Sequence, residues 1–226
     1  MEADLMKPFK TLTAAVAFSL TALAPFAARA DNVEILNEGF SNMSSLQGWV
    51  QVNNSNPRGL GWLQGNSGIF PAQAGANDSY AAANYLCAQD GTGTVDTWLI
   101  TPSVTLSGNS TISFFTRSSN DQPGPYNDQL EVSFALGSGT DINAFSNLLT
   151  GIGPGGYPAD WTQYSANLSA TGPVRFAFHY VGSAAELSFI GIDSVSVVTA
   201  VPEPSLSLML CLGLGALGLM RRKLSN

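Results

Sequence analysis

Charge is scarce in this sequence. Only 11% of its 226 residues are Asp, Glu, Lys or Arg, against about 25% in an ordinary soluble domain. Between Asp31 and Ala200 there is no lysine, and Arg58, Arg117 and Arg175 face thirteen carboxylates, a net of −10. Binding to a phosphate backbone needs a basic face, so nucleic acid is excluded as a partner. Without lysine that segment cannot form a P-loop. The single histidine, His179, rules out a histidine-based metal cluster. No serine stands in a G-x-S-x-G nucleophile elbow. The two cysteines, Cys87 and Cys211, fall in different segments and form no disulfide framework. Cys87 is expected to be a small, semi-buried residue, since no base accompanies it to generate a thiolate.

What is present divides the chain into three, at residues 1–30, 31–200 and 201–226. Lys7 and Lys10 precede an apolar run from Leu12 to Phe26 that closes on Ala28-Arg29-Ala30. This order predicts a secretory signal helix cleaved after Ala30, with Met6 an alternative start. A permanent anchor is the competing reading, but the run is shorter than the ~20 residues a spanning helix needs.

At the other end stands Pro202-Glu203-Pro204, where neither proline donates a backbone hydrogen bond. Leu206 to Met220 carries no charge and is followed by Arg221-Arg222-Lys223. That run predicts a transmembrane helix with its bases in the cytoplasm and the acidic segment outside. The tripeptide, the Gly-rich apolar span and the Arg221-Arg222 end together resemble the PEP-CTERM sorting signal of Gram-negative bacteria that make exopolysaccharide. The resemblance implies exosortase as processing partner, a transient stay in the inner membrane and delivery to the cell surface or extracellular matrix. A plain tail anchor is the alternative.

The middle segment reads as all-β. Short apolar runs are separated by Gly, Asn, Ser and Pro, with little helical period. In Gln129–Leu136 the residues Leu130, Val132, Phe134 and Leu136 alternate with a polar face, and Val174, Phe176, Phe178 and Tyr180 repeat the pattern. Further strands are expected at Val33–Leu36, Trp49–Val52, Gly61–Leu63, Tyr80–Tyr85, Thr97–Ile100, Thr111–Arg117, Thr162–Asn167 and Ser188–Val198. Ten short strands bounded by turn residues predict one antiparallel β-sandwich. One short helix is expected over Asp141–Leu149, capped by Asp141 with Ile142, Phe145 and Leu149 on one face. In the last strand Ile190 and Ile192 share one face and Val195 and Val197 the other, which predicts a β-bulge at Asp193–Ser194.

Several motifs, taken in order, resemble the choice-of-anchor J domain. They are Asn37-Glu38-Gly39-Phe40, Leu46-Gln47-Gly48-Trp49, Gly61-Trp62-Leu63-Gln64-Gly65, Asp96-Thr97-Trp98-Leu99-Ile100-Thr101-Pro102, Asp160-Trp161-Thr162-Gln163-Tyr164 and Ile190-Gly191-Ile192-Asp193-Ser194-Val195. Such domains are similar to cleaved-adhesin and MAM-type modules, so the resemblance implies a jelly-roll sandwich on a surface protein. Related jelly rolls hold Ca2+ between the first and last strands. Carried over residue by residue, this implies Glu38 and Asp193 as ligands, with Asp78 or Asn77 as a third. The alternative is that Asp193 caps backbone amides at the bulge.

For function, adhesion or a role in the exopolysaccharide matrix is expected, without catalysis. A carbohydrate-binding module or carbohydrate-active enzyme is the alternative, and a matrix filler without ligand a third. The acids offered for hydrolysis are Asp121, Asp128, Glu131 and Asp160, which also fit a solvated rim. Trp49, Trp62, Trp98 and Trp161 suit the core better than a sugar platform. Tyr126 and Tyr157, in Pro/Gly-rich loops, are the expected ligand contacts for exopolysaccharide or surface glycans.

Overall fold

The computed structural model describes residues 32–119 and 126–201. The predicted signal helix, the tail helix, the sorting residues Pro202, Glu203, Pro204, Arg221 and Arg222, and Asp121 lie outside those residues.

Ten strands form, all paired antiparallel: β1 (Asn32–Glu38), β2 (Val50–Asn53), β3 (Leu63–Gln64), β4 (Ala81–Asn84), β5 (Thr94–Ile100), β6 (Val104–Ser118), β7 (Leu130–Leu136), β8 (Asn147–Ile152), β9 (Thr162–Ser183) and β10 (Phe189–Ala200). They make one sheet in the order β2-β5-β9-β6-β10-β4-β3, with β1 added on β10, and β7 lying between β9 and β8. The sheet curls because its long strands change partners along their length. β9 pairs β6 up to Val174, then β5 and β7 on its two sides from there to Ser183. The predicted strand Thr162–Asn167 and the alternating run Val174, Phe176, Phe178 and Tyr180 are therefore the two halves of β9.

The core fills the inside of the curl. Ile112, Phe114, Leu130, Val132, Phe176, Phe178 and Tyr180 are all buried in it, and Phe114 meets Phe178 edge-on with ring centroids 5.1 Å apart. Alternation explains this stripe, since residues two apart share a face. The apolar face of β7 runs out at its end, where Leu136 is 66% exposed.

The phase switch in β10 is a bulge. Its register with β6 shifts between Asp193 and Ser196, and Ser194 takes φ +51°. Ile190, Ile192, Val195 and Val197 all stay buried as a result, because the extra residue returns the second pair to the inner face.

The predicted helix does not form. Only Ile142–Ala144 makes a 3-10 turn, and Asn147–Ile152 is strand β8 along β7. Asp141 caps that turn as expected, its Oδ1 accepting the Asn143 N–H at 3.0 Å. Nine residues are marginal as a helix on their own, while an open β7 edge supplies a ladder. Ile142 and Phe145 still bury apolar surface, against Ile100, Ala135, Ala177, Val50, Val52 and Trp98 on the sheet's outer face. The β9 face expected to be wet is therefore partly covered.

Denaturant unfolding tests this division of the structure. Phe178→Ala should cost about 3–5 kcal/mol, whereas Leu136→Ala should stay within about 0.5 kcal/mol of the parent.

Candidate functional site: a tyrosine-flanked cleft

A cleft of about 380 Å3 opens beside the first residue of β10, lined by Ile69, Asn84, Tyr85, Ser119, Tyr126, Ser188 and Phe189. Each wall has a local cause. At the end of β4, Asn84 turns the chain into a 3-10 turn by accepting the Leu86 N–H on its Oδ1 at 2.8 Å. That cap throws Tyr85 outward, 42% exposed. The Tyr85 N–H donates to Ser188 O at 3.2 Å and the Ser119 N–H to Phe189 O at 2.9 Å, joining the ends of β4, β6 and β10.

Tyr126 also lines the cleft and is 40% exposed. Its segment is pinned by the buried Asp128 carboxylate. Oδ1 accepts the Tyr180 hydroxyl at 2.5 Å and the Ser188 N–H at 2.9 Å, and Oδ2 accepts the Ser188 hydroxyl. Burial, with the Asp128 carboxylate next to it, pushes the Tyr180 hydroxyl well above the usual tyrosine range. Asp128 thus fixes both Ser188 on the floor and the approach to Tyr126, and it is no rim acid. Among the described residues, no charged side chain lines the cleft. Two phenol rings, two apolar side chains, and amide and hydroxyl groups suit a neutral polyhydroxy ligand, which offers C–H faces to rings and O–H groups to amides.

Tyr157 does not belong to this site. It is 8% exposed, its hydroxyl lies 2.6 Å from Thr116 Oγ1, and burial raises that hydroxyl well above its ordinary value. The Pro/Gly-rich loop carries it inward, where Thr116 offers its hydroxyl a partner. Tyr85 is the wall that sequence reasoning missed, and its signal was Asn84, a capping residue directly before an aromatic.

The tryptophans serve packing. Trp62 is buried, Trp49 meets Phe40 edge-on at 5.2 Å, and Trp161 meets Phe70 and Tyr80 edge-on at 5.6 Å each. Trp98 stacks on His179 at 3.7 Å. The His179 nitrogens lie 2.9 Å from Asp96 Oδ1 and 3.3 Å from Glu131 Oε2, so the imidazole on β9 engages one carboxylate from each flanking strand, β5 and β7. Asp160 is exposed and is not among the residues that line the cleft. Cys87 is fully buried, and burial pushes its thiol up to about 11, the wrong direction for a nucleophile.

Of the implied metal ligands, Glu38 ends β1, Asp78 lies in the loop before β4, and Asp193 sits buried at the bulge. Among the described residues, no three Asp, Glu, His or Cys side chains stand together as a metal-binding group. Burial pushes the Asp193 carboxyl above its usual range, opposed by amide N–H donors from Ala74, Ser194 and Gln73.

With that geometry in hand, comparisons give the setting. A family profile for the PEP-CTERM protein-sorting motif matches residues 200–223. The motif implies processing by exosortase, export and sorting to the cell surface. The fold is similar to that of the K3 cleaved adhesin domain of Lys-gingipain from Porphyromonas gingivalis, with TM-score 0.56 and 20% identity over 75% of this chain and 100% of that one. The K1 cleaved adhesin domain of the same protein gives 0.52 and 24%, over 74% and 98%. The CBM22-1 xylan-binding domain of Paenibacillus barcinonensis Xyn10C matches at 0.47 and 13%, over 77% and 100%. No curated protein matches the sequence. The chain thus carries a PEP-CTERM motif behind an all-β antiparallel curled sheet, an adhesin-like β-sandwich.

Asp128→Ala should lower the free energy of unfolding by about 3 kcal/mol or more, since three buried donors lose their acceptor at about 1–3 kcal/mol each. Urea titration of the two proteins measures it.

The folded-state pKa of Asp193 lies above the unfolded one, so the folded state holds that proton more tightly. Its contribution to stability is full below the usual carboxylate range and falls as pH rises through the folded pKa. Asp193→Asn should therefore flatten that part of the stability–pH curve.

Proposed function

We propose that the chain is an exported surface or matrix protein whose domain binds neutral sugar chains in the Tyr85–Tyr126 cleft, as an adhesin without catalytic activity. The observation that carries this reading is a pair of exposed tyrosines lining one cleft to which no described residue brings a charged side chain. Its position supports the same reading. The cleft opens at the Phe189 end of β10, whereas the sorting tail leaves from the Ala200 end, roughly 35 Å away along a strand of this length. A ligand site at the end of β10 far from Ala200, where the sorting motif begins, suits a domain displayed from its C-terminal side.

A carbohydrate-active enzyme on the same scaffold is the second reading. Binding alone has the better support, because the nearby acid Asp128 lies beneath the floor with three donors on it, and Asp96 and Glu131 are engaged with His179.

A polysaccharide pull-down and glycan array with the exported protein tests the proposal. Tyr85→Ala and Tyr126→Ala should each weaken binding about tenfold or more, about 1.4 kcal/mol, with unchanged melting temperatures. Tyr157→Ala should lower the melting temperature instead. Retained glycan binding in both cleft variants would remove the cleft from the account.

A further inference from the structure

The resemblance to Ca2+-holding jelly rolls places a hard cation between the first and last strands, and the side chains there can be tested against that requirement. Ca2+ takes six to eight oxygen ligands. An ionised carboxylate has about four lone-pair directions. On Asp193, Oδ2 accepts the N–H groups of Gln73 at 2.9 Å and Ala74 at 3.1 Å, and Oδ1 accepts the Ser194 N–H at 2.6 Å. Three of the four directions are engaged by N–H donors, and both oxygens are held. Glu38 spends Oε1 on the Phe40 N–H at 2.8 Å. Asp78 contributes a backbone carbonyl to the seam.

That carbonyl is the telling atom. Asp78 O and Phe40 O converge on one point, as two oxygens of a cation cradle would, and the Gln64 carboxamide nitrogen occupies that point, 2.6 Å and 2.9 Å from them. The orientation of the amide is fixed independently. Gln64 Oε1 accepts the Met43 N–H at 2.8 Å, so turning the group over would set N–H against N–H at one end and oxygen against two carbonyls at the other. The two carbonyls are matched by the two N–H groups of a neutral amide, whose nitrogen fills the point a metal ion would need.

We infer that the seam between the first and last strands is closed without a cation, the Gln64 carboxamide acting as a neutral peg and Asp193 as a latch. Gln64 ties the exit of β1, through Phe40 and Met43, to the loop before β4. Asp193 ties the Gln73–Ala74 stretch of that loop to the β10 bulge, and Ser194 Oγ adds a bond to Gln73 Oε1 at 2.8 Å. Each bond spans a long sequence separation, so together they substitute for the cross-link that an ion would give. This inference is independent of the sugar-binding reading, because neither residue lines the Tyr85–Tyr126 cleft.

The test is thermal melting of the full chain at constant ionic strength in EGTA and in millimolar Ca2+. The wild type should melt at the same temperature in both. Gln64→Glu replaces the donor with an oxygen facing two carbonyls, so it should melt lower in EGTA and recover in Ca2+. Gln64→Ala should melt lower in both. A wild type whose melting temperature falls in EGTA would overturn the inference, and so would a Gln64→Glu protein that melts like the wild type in EGTA. If Gln64→Glu does not fold, the wild-type comparison still decides.

Discussion

Strand β10 has almost no free edge, and the rest of the molecule is arranged around that fact. β6 takes one side from Ile190 to Thr199; β4 takes the other side from Phe189 to Ile192, and β1 takes it from Val195 to Ala200. Between β4 and β1 the ladder is open only at the bulge, where the Asp193 side chain reaches the Gln73 and Ala74 amides. A shift of one residue in this strand would turn Ile190 and Ile192, or Val195 and Val197, out of the core. The bulge is what lets two partners of different register share one side.

Polar burial follows the same logic. Asp128, Asp193 and the Thr116–Tyr157 pair are buried where elements cross between strands, and each has its hydrogen-bonding groups engaged. Thr116 also donates to Gly191 O at 2.7 Å, so the β6 side chain holds the β10 backbone as well as Tyr157. A buried polar group without a partner is costly, so these sites tolerate few alternative arrangements. They set the strand crossings that the apolar core, which is indifferent to direction, leaves open.

Much of this was legible in the residues. The bulge followed from the phase of Ile190 and Ile192 against Val195 and Val197, and the all-β class followed from alternation between turn residues. Strand β8 was not legible, because Ile142, Phe145 and Leu149 also fit a helical stripe and only an open β7 edge decides between them. The cleft was half legible. Tyr126 was identified, whereas Tyr85 looked like the end of a buried strand, and Tyr157 looked exposed because its loop is rich in Pro and Gly. The bridge of His179 to Asp96 and Glu131 depends on β5 and β7 flanking β9, and strand order is a non-local property that no local pattern encodes.

The path of β10 also decides how the domain bears load. β10 runs from Phe189 to Ala200, so a pull applied between its two ends runs lengthwise along one strand. Its ladders to β6, β1 and β4 are then sheared, and their hydrogen bonds stretch together instead of opening one after another. Asn32 pairs with Ala200 at the same end, so the first strand grips the last where the tension enters. Tension between the two ends of β10 is thereby carried in the direction in which a sheet is strongest.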